Sequence, residues 1–141
     1  MTAIVDLRPL IALDADVLIY SVVDHPLGRR IRALLDDNAH RFSGSTLLLP
    51  ETLIKPTRTS PVEREHLASL LANIDLEPAT QSVCSVAVAL GAKYRLATVD
   101  AVHLATATET GADAFLTNNR NEFDQDLIDE IEVLYPTDLP G

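Results

Sequence analysis

A short apolar run, residues 10–13, ends in two carboxylates, Asp14 and Asp16, and a second apolar run begins at Val17. Four apolar residues without alternation predict a strand buried on both faces, and Asp16 is a candidate N-cap for the helix that follows. Open α/β sheets bind ligands at the carboxyl ends of their strands. Asp14 is therefore a candidate site residue, with the alternative that it only forms a turn or a cap.

Segments typical of strands alternate with segments typical of helices along the rest of the chain. This alternation predicts an α/β fold in which helices cover both faces of a central parallel sheet. Further strands are expected at residues 41–45, 74–77 (an edge strand), 114–117 and 131–135. Helices are expected after Asp16, over 28–37, from Pro50, over 61–71, over 80–92 and from Thr98 to Gly111, and residues 136–141 are expected to form a loose tail.

Proline, glycine and threonine suggest where several of these helices begin and end. Pro50 suits a first helical turn, and Pro56 is expected to close the same segment. Gly91 is a candidate C-cap, and Thr98 is a candidate N-cap. Cys84 lies in an apolar helical run, where we expect it to behave as a small buried hydrophobe.

The charge balance limits the functions open to this chain. It has 21 acidic residues against 11 lysines and arginines, for a net charge of -10. Nucleic-acid binders usually carry a basic face, so this total argues against passive binding of a phosphate backbone. It leaves open an enzyme that meets phosphates through metal ions held by acids, because such ions invert the local charge.

Length and targeting signals favour a single cytoplasmic domain. A chain of 141 residues can bury one substantial core. The opening residues lack the features of a signal peptide, and no apolar run approaches the ~18 residues of a membrane span. The lone Cys84 permits no internal disulfide, which agrees with a reducing compartment.

Three acids fall at element starts that would border the same edge of the sheet. Asp14 follows the first strand, Glu51 lies in the first turn after Pro50, and Asp100 lies in the first turn after Thr98. Carboxylates that share a cleft repel one another unless a cation is present. Mg²⁺ and Mn²⁺ prefer such ligands and can activate water for attack at phosphorus. The helix dipole alone would also favour Glu51 at its position.

His103 lies three residues after Asp100, so the two share a helix face. His103 could hold Asp100 or a phosphate, or it could simply pack into a helix interface. We prefer the packing interpretation, because nothing in the sequence supports an acid–base geometry.

Four motifs, taken in order, resemble the PIN domain, and specifically the VapC toxins of bacterial type II toxin–antitoxin systems. They lie at residues 13–20, 49–53, 100–107 and 116–123. The resemblance implies a single PIN-like domain over residues 1–141, with a core at about residues 10–135 and three α/β/α layers. It also implies Mg²⁺- or Mn²⁺-dependent cleavage of RNA, a homodimer, and neutralisation by a cognate VapB-type antitoxin that inserts a C-terminal segment into the cleft.

The resemblance assigns the metal-binding and catalytic roles to Asp14, Glu51 and Asp100. Many family members have Thr-Asn-Asp where this chain has Thr117, Asn118 and Asn119, so one acid is missing. One-metal chemistry is therefore an alternative to two-metal chemistry.

Several auxiliary residues follow from the same comparison. Glu122 matches an alternative acidic position of the family, and Thr117 and Asn119 could orient a water or a phosphate. Asp16 replaces a residue that is more often Asn or Ser, and it could be a supplementary ligand or a helix cap. Basic residues near these motifs could attract substrate phosphates; the candidates are Lys55, Arg58 and Arg120.

Two other classes of protein compete with a nuclease. A PIN fold that has lost catalysis would bind a partner and leave RNA intact. Asn119, in place of the usual acid, would be a sign of that loss. A phosphoacceptor receiver domain also places acids at strand ends, but it needs a lysine near its C-terminal strands. The last lysine here is Lys93, so we rank the receiver domain low.

Overall fold

Within residues 5–140, which the computed structural model describes, five parallel strands form one central sheet. They are β1 (Leu10–Leu13), β2 (Arg41–Ser45), β3 (Asp75–Glu77), β4 (Ala114–Leu116) and β5 (Glu132–Leu134). Their order is β3, β2, β1, β4, β5, and all neighbouring pairs are parallel. The carboxyl ends of β1 and its two neighbours therefore meet at one edge of the sheet.

Helices cover both faces of this sheet. They are α1 (Ala15–Ser21), α2 (Pro26–Leu35), α3 (Leu48–Thr59), α4 (Pro61–Leu71), α5 (Gln81–Tyr94) and α6 (Thr98–Glu109). One apolar core joins the sheet to α5 and α6, and a second core joins the other face to α1, α2, α3 and α4. The predicted three-layer α/β/α fold with a central parallel sheet is confirmed.

β1 is the central strand, and all four of its residues are buried. Successive side chains on a strand point to opposite faces. Ala12 accordingly packs in the core under α5 and α6, whereas Ile11 and Leu13 pack in the core on the other face. A strand buried on both sides needs an unbroken apolar sequence, which is why the pattern of residues 10–13 predicted it correctly.

Several helices begin earlier than the sequence suggested: α2 begins at Pro26 rather than at residue 28, and α3 at Leu48 rather than at Pro50. The N-cap of α1 is Asp14, whose side chain accepts the N–H of Ala15 at 2.8 Å, so the prediction of an Asp16 N-cap is wrong. Thr98 is the first residue of α6, and Ala97 occupies the N-cap position without a side-chain bond. Asp100 remains in the first turn of α6, as predicted.

Gly91 does not end α5, which continues to Tyr94. The C-cap is Arg95, which adopts a left-handed conformation (φ 56°, ψ 46°) and donates its N–H to the carbonyl of Gly91. A Cβ at Gly91 would lie 3.2 Å from the Cβ of Ala101. Gly91 therefore serves the close approach of α5 and α6 rather than the helix terminus.

Pro56 and Cys84 also depart from the sequence-based expectations. α3 continues through Pro56, which is buried, to Thr59, so this proline does not end the helix. Cys84 is exposed, since the buried face of α5 is formed by Val83, Ala87 and Leu90.

The segment after β5 is anchored to the domain, so the prediction of a loose tail is wrong for residues 136–140. Pro136–Asp138 form a 3₁₀ helix, and Leu139 is buried. Arg30 donates a hydrogen bond to the carbonyl of Thr137 at 3.4 Å. Gly141, the last residue of that prediction, and residues 1–4 of the N-terminal lead-in lie outside the described residues.

In the described part of the chain, no single helix has the length and apolar content of a membrane span. The bent pair α5 and α6, which meet at 116°, passes that test only when the two are taken together. α6 is a core helix whose residues from Ala101 to Ala107 are all buried.

Candidate functional site

Asp14 leaves the carboxyl end of β1 and is only 4% exposed. Its Oδ1 accepts the N–H of Ala15, and its Oδ2 accepts the hydroxyl of Thr117, both at 2.8 Å. Burial raises the pKa of this carboxyl group and the charge of Glu51 adds to the rise, whereas His103, Thr117 and the Ala15 N–H oppose it. Asp14 is thus a buried acid fixed in position by two hydrogen bonds.

Asp16 lies in the first turn of α1, next to Asp14. Its Oδ1 accepts the N–H of Asn118 at 3.2 Å, which ties α1 to the loop after β4. Burial, followed by the charge of Asp14, raises the pKa of Asp16 to about 7, with a smaller contribution from Asp100. A second carboxylate therefore shares the electrostatic environment of Asp14.

Asp100 brings a third carboxylate to this edge from the first turn of α6. Burial, followed by the charges of Asp14, Glu122 and Glu51 in that order, raises its pKa to about 6. These interactions group acids from β1, α3, α6 and the loop after β4 around Asp100. Each would be easier to ionise if a cation shared the site.

Glu51 and His103 form a pair between α3 and α6. The Nε2 of His103 bonds the Oε1 of Glu51, and the imidazole is fully buried while the Glu51 side chain is 34% exposed. The Nδ1 of His103 is buried and has no hydrogen-bond partner among residues 5–140. The expected packing of His103 into the interior is confirmed, but its contact with Glu51 could not be read from a spacing within one helix.

The loop after β4 is organised by its own polar side chains. The hydroxyl of Thr117 accepts the N–H of Asn119 at 3.0 Å, and the Oδ1 of Asn119 accepts the N–H of Glu122 at 3.2 Å. The Oε2 of Glu122 accepts the N–H of Ala97 at 3.4 Å, at the N-terminus of α6. Asn119 thus shapes the loop, while Glu122 reaches toward the helix that carries Asp100.

The three basic candidates occupy different surroundings. Lys55 and Arg58 are exposed on α3, four and seven residues after Glu51, which places all three on one side of the helix. The guanidinium of Arg120 lies 4.3 Å from the centre of the Tyr135 ring and bonds the hydroxyl of Thr137. Arg120 is therefore engaged with the C-terminal segment.

The donor chemistry of this edge fits a hard divalent cation. Asp14, Asp16, Glu51, Asp100 and Glu122 supply oxygen ligands of the kind that Mg²⁺ and Mn²⁺ prefer. Burial and, to a smaller extent, mutual repulsion raise the pKa values of Asp14, Asp16 and Asp100, and a bound cation would offset both effects. In residues 5–140 no three Asp, Glu, His or Cys side chains stand in the arrangement of a preformed metal site, and Glu51 is turned to His103.

Comparison with known proteins points to one family. The PIN domain family model matches residues 11–126. A sequence comparison with curated proteins finds no match. The matched segment includes Asp14, Glu51 and Asp100 and the loop after β4 as far as residue 126.

Several solved structures share the fold at low sequence identity. A toxin–antitoxin complex from Klebsiella pneumoniae is 20% identical, with a TM-score of 0.71 over 89% of this chain and 97% of its own. FitAcB from Neisseria gonorrhoeae is 18% identical, with a TM-score of 0.67 over 92% and 99%. VapC20 of Mycobacterium tuberculosis, described as a sarcin–ricin loop cleaving toxin, is 15% identical, with a TM-score of 0.60 over 82% and 91%.

Proposed function

This chain belongs to the PIN domain family, and from that premise we propose that it is a divalent-metal-dependent endoribonuclease. It acts in the cytoplasm as the toxin of a VapBC-type toxin–antitoxin pair, as a single domain over residues 1–141. The observation that carries the proposal is the group of carboxylates at the carboxyl edge of the sheet, where burial and mutual charge raise the pKa values of Asp14, Asp16 and Asp100. A buried acidic group of this kind suits cation binding better than any role in packing.

Asp14, Glu51 and Asp100 are the proposed metal ligands and catalytic residues. Bound by these residues, Mg²⁺ or Mn²⁺ would supply an activated water and would offset negative charge at a phosphodiester. Asp14 keeps its orientation through the Thr117 hydroxyl and the Ala15 N–H. Glu51 must exchange its bond to His103 for a bond to the ion, and its 34% exposed side chain has the freedom to do so.

Asp16, Glu122, Thr117 and Asn119 take supporting roles in this proposal. Glu122 raises the pKa of Asp100 by its charge, so it is the acid we assign in place of the missing one at Asn119. Asp16 is an additional ligand or a negative neighbour that strengthens ion binding. Thr117 and Asn119 position the loop through hydrogen bonds to Asp14 and Glu122.

Substrate phosphates need cationic contacts close to the site, because the net charge of -10 repels RNA at long range. Lys55 and Arg58 follow Glu51 along α3 and are exposed. They are our preferred phosphate contacts. Arg120 can take that role only by leaving its stacking position over Tyr135.

Two protein partners belong to the proposal. An acidic cleft attracts a basic side chain, so the C-terminal segment of a VapB-type antitoxin is the expected inhibitor. A second copy of this chain is the other partner. The exposed face of α5 supports it, because Val88 is 73% exposed and lies with Cys84 in an apolar groove between α5 and α6.

The test is cleavage of end-labelled small RNA by protein freed of any antitoxin, with Mg²⁺ or Mn²⁺ and with a chelator. Asp14→Asn and Asp100→Asn should abolish discrete fragments. Asp36→Asn is the matched control, because Asp36 is exposed and borders the start of β2, at the opposite edge of the sheet. Fragments that persist in both site variants would refute the assignment.

The same experiment separates the nuclease from a PIN fold that has lost catalysis. The second interpretation is favoured by Asn119 and by the bond that turns Glu51 toward His103. It predicts that the folded wild type binds Mn²⁺ but cuts no RNA. Binding of Mn²⁺ can be followed by isothermal titration calorimetry.

A further inference from the structure

A depression of about 270 Å³ lies beside the acidic site. Its wall is formed by the end of α5 and by the loop that precedes β5, and it includes Arg95 and Glu122. Glu122 connects this depression to the acids, because its charge contributes to the raised pKa of Asp100 and its carboxylate accepts the N–H of Ala97 at the start of α6. A ligand that extends from the acids past Glu122 would enter the depression.

Two cationic side chains line the depression, and they differ in their partners. Lys93 is held by Glu130 at 3.0 Å and by Asp129 at 3.7 Å. Arg95 has no carboxylate within 4.0 Å among the residues that the structure describes. Its charge is therefore available to an anionic ligand, whereas that of Lys93 is already neutralised.

The backbone of Arg95 strengthens this distinction. In residues 5–140, Arg95 is the only residue other than glycine with a positive φ. A helix that ends in a left-handed residue usually has glycine there, since any Cβ is unfavourable in that conformation. The helix end needs only the Arg95 N–H, which bonds the carbonyl of Gly91. Arginine thus occupies a position where the fold favours glycine, which points to a use for its side chain.

We propose that Arg95 binds a phosphate group of the RNA strand next to the phosphodiester that is cut, and so positions the strand across the depression. This inference rests on the proposed nuclease function and extends it to the path of the substrate. Guanidinium groups suit phosphates because their planar donors match two phosphate oxygens. Arg95 is a positioning residue and takes no part in bond breaking.

The test compares Arg95→Gly with Arg95→Lys. Glycine fits the left-handed backbone and removes the charge, whereas lysine keeps the charge on the same backbone. We expect Arg95→Gly to raise the melting temperature and yet to weaken binding of a fluorescein-labelled single-stranded RNA by about fivefold to tenfold. The plot of log affinity against log salt should also become shallower by ~0.7, as for one lost phosphate contact, and Arg95→Lys should keep the wild-type slope.

Arg41→Gln is the control for loss of one positive charge far from the site, because Arg41 lies at the start of β2, at the far edge of the sheet, where it is paired with Asp6. Anisotropy titrations in a chelator give binding without cleavage, and assays in Mg²⁺ give KM and kcat. A rise in KM with little change in kcat supports the proposal. A role in the helix cap alone would leave RNA binding unchanged in the stabilised Arg95→Gly variant, and this result would overturn the proposal.

The outcomes distinguish a failure of the proposed Arg95 phosphate contact from a failure of the proposed nuclease function. If the wild type cuts RNA and Arg95→Gly binds it equally well, the phosphate contact is wrong and the nuclease stands. If the wild type binds RNA through Arg95 but cuts none, the contact stands and the nuclease fails. If the wild type neither binds nor cuts RNA, both are overturned, and a response of Arg95→Gly to an acidic peptide would identify a protein ligand instead.

Discussion

Thr117 donates its hydroxyl to the Oδ2 of Asp14 at 2.8 Å and so joins the carboxyl ends of two neighbouring strands, β4 and β1. Both side chains are buried. The same hydroxyl accepts the N–H of Asn119, so it connects the acid to the loop that follows β4. The position of the Asp14 carboxylate therefore depends on a residue that is distant in sequence.

Replacing Thr117 should weaken metal binding more than it weakens the fold. Thr117→Val keeps the shape of the side chain and removes the donor, which leaves a buried carboxylate with one hydrogen bond fewer. We expect Mn²⁺ affinity to fall by about 10- to 100-fold, as for other residues that orient metal ligands. Thr117→Ser is the control that keeps the donor. Calorimetry should find it near wild type, and equal affinity in the valine variant would contradict the orienting role.

Asp16 should make the metal-free protein less stable as the pH rises. Its folded pKa is raised to about 7, above its ordinary value of 3.8, so its contribution to stability is complete below pH 4 and is lost as the pH rises through 7. Asp16→Asn removes this loss and keeps an oxygen for the Asn118 N–H. In a chelator, the variant and the wild type should have the same melting temperature at pH 4. At pH 8 the melting temperature of the variant should exceed that of the wild type by at least ~3 °C. If the melting temperatures of the variant and the wild type differ by the same amount at both pH values, the pKa of Asp16 is not raised.

Divalent cations should stabilise the folded chain. A ligand at 100 times its Kd adds about 2.7 kcal/mol to the free energy of unfolding, so saturating Mg²⁺ or Mn²⁺ should raise the melting temperature by several degrees. Asp100→Asn should lose most of this shift, whereas Asp36→Asn, at the opposite edge of the sheet, should retain it. Thermal denaturation followed by circular dichroism measures the effect. An equal shift in all three proteins would indicate that cations bind elsewhere.

Gly28 should be intolerant of a methyl group. A Cβ at this position would lie 2.5 Å from the carbonyl oxygen of Tyr20 and 2.6 Å from that of Val23. Both contacts are to backbone, which cannot move aside as a side chain can. Gly28→Ala should lower the free energy of unfolding by ~2 kcal/mol or more, despite the better helix propensity of alanine. Chemical denaturation measures this loss.

Ala33 gives the matched comparison for Gly28, since it is exposed on the same helix. Ala33→Gly should cost only about 1 kcal/mol, from helix propensity alone. A Gly28→Ala variant as stable as wild type would mean that α1 and α2 pack less closely than described.

We expect two copies of the chain to contact each other through the apolar groove between α5 and α6. Val88→Asp places a charge on its exposed face and should convert the proposed dimer to a monomer in size-exclusion chromatography with light scattering. Val62→Asp introduces the same change at an 80% exposed position on α4 and should leave the dimer intact. A wild-type protein that is monomeric at every concentration would refute the homodimer.

The sheet could be predicted from the sequence because each core strand has a local apolar pattern. Residues 10–13 are apolar without interruption, as a strand covered on both faces requires. The same logic placed Asp14 and Asp100 at element starts, where the structure has them. Helix termini were less accurate. Whether a chain continues past Gly91 or Pro56 depends on contacts with other elements, and those contacts have no local signature.

Part of the site depends on distant residues and was not predictable from spacing. The bond between His103 and Glu51 joins α3 and α6, whose relative position is set by the fold and not by a spacing within either helix. Arg120 was a candidate for phosphate binding because of its motif, but its stacking on Tyr135 depends on the C-terminal segment. No sequence pattern distinguishes Arg95, since its unusual feature is a backbone angle.

The strand order has a consequence for synthesis on the ribosome. β1 is the first of the five strands to be made, but β4, which lies directly beside it and leads to Thr117, is made only after β2, β3 and all six helices. A growing chain that ends before β4 has no partner on that side of β1 and lacks the hydroxyl that orients Asp14. The proposed ribonuclease would thus gain its assembled site only after the ribosome has made β4.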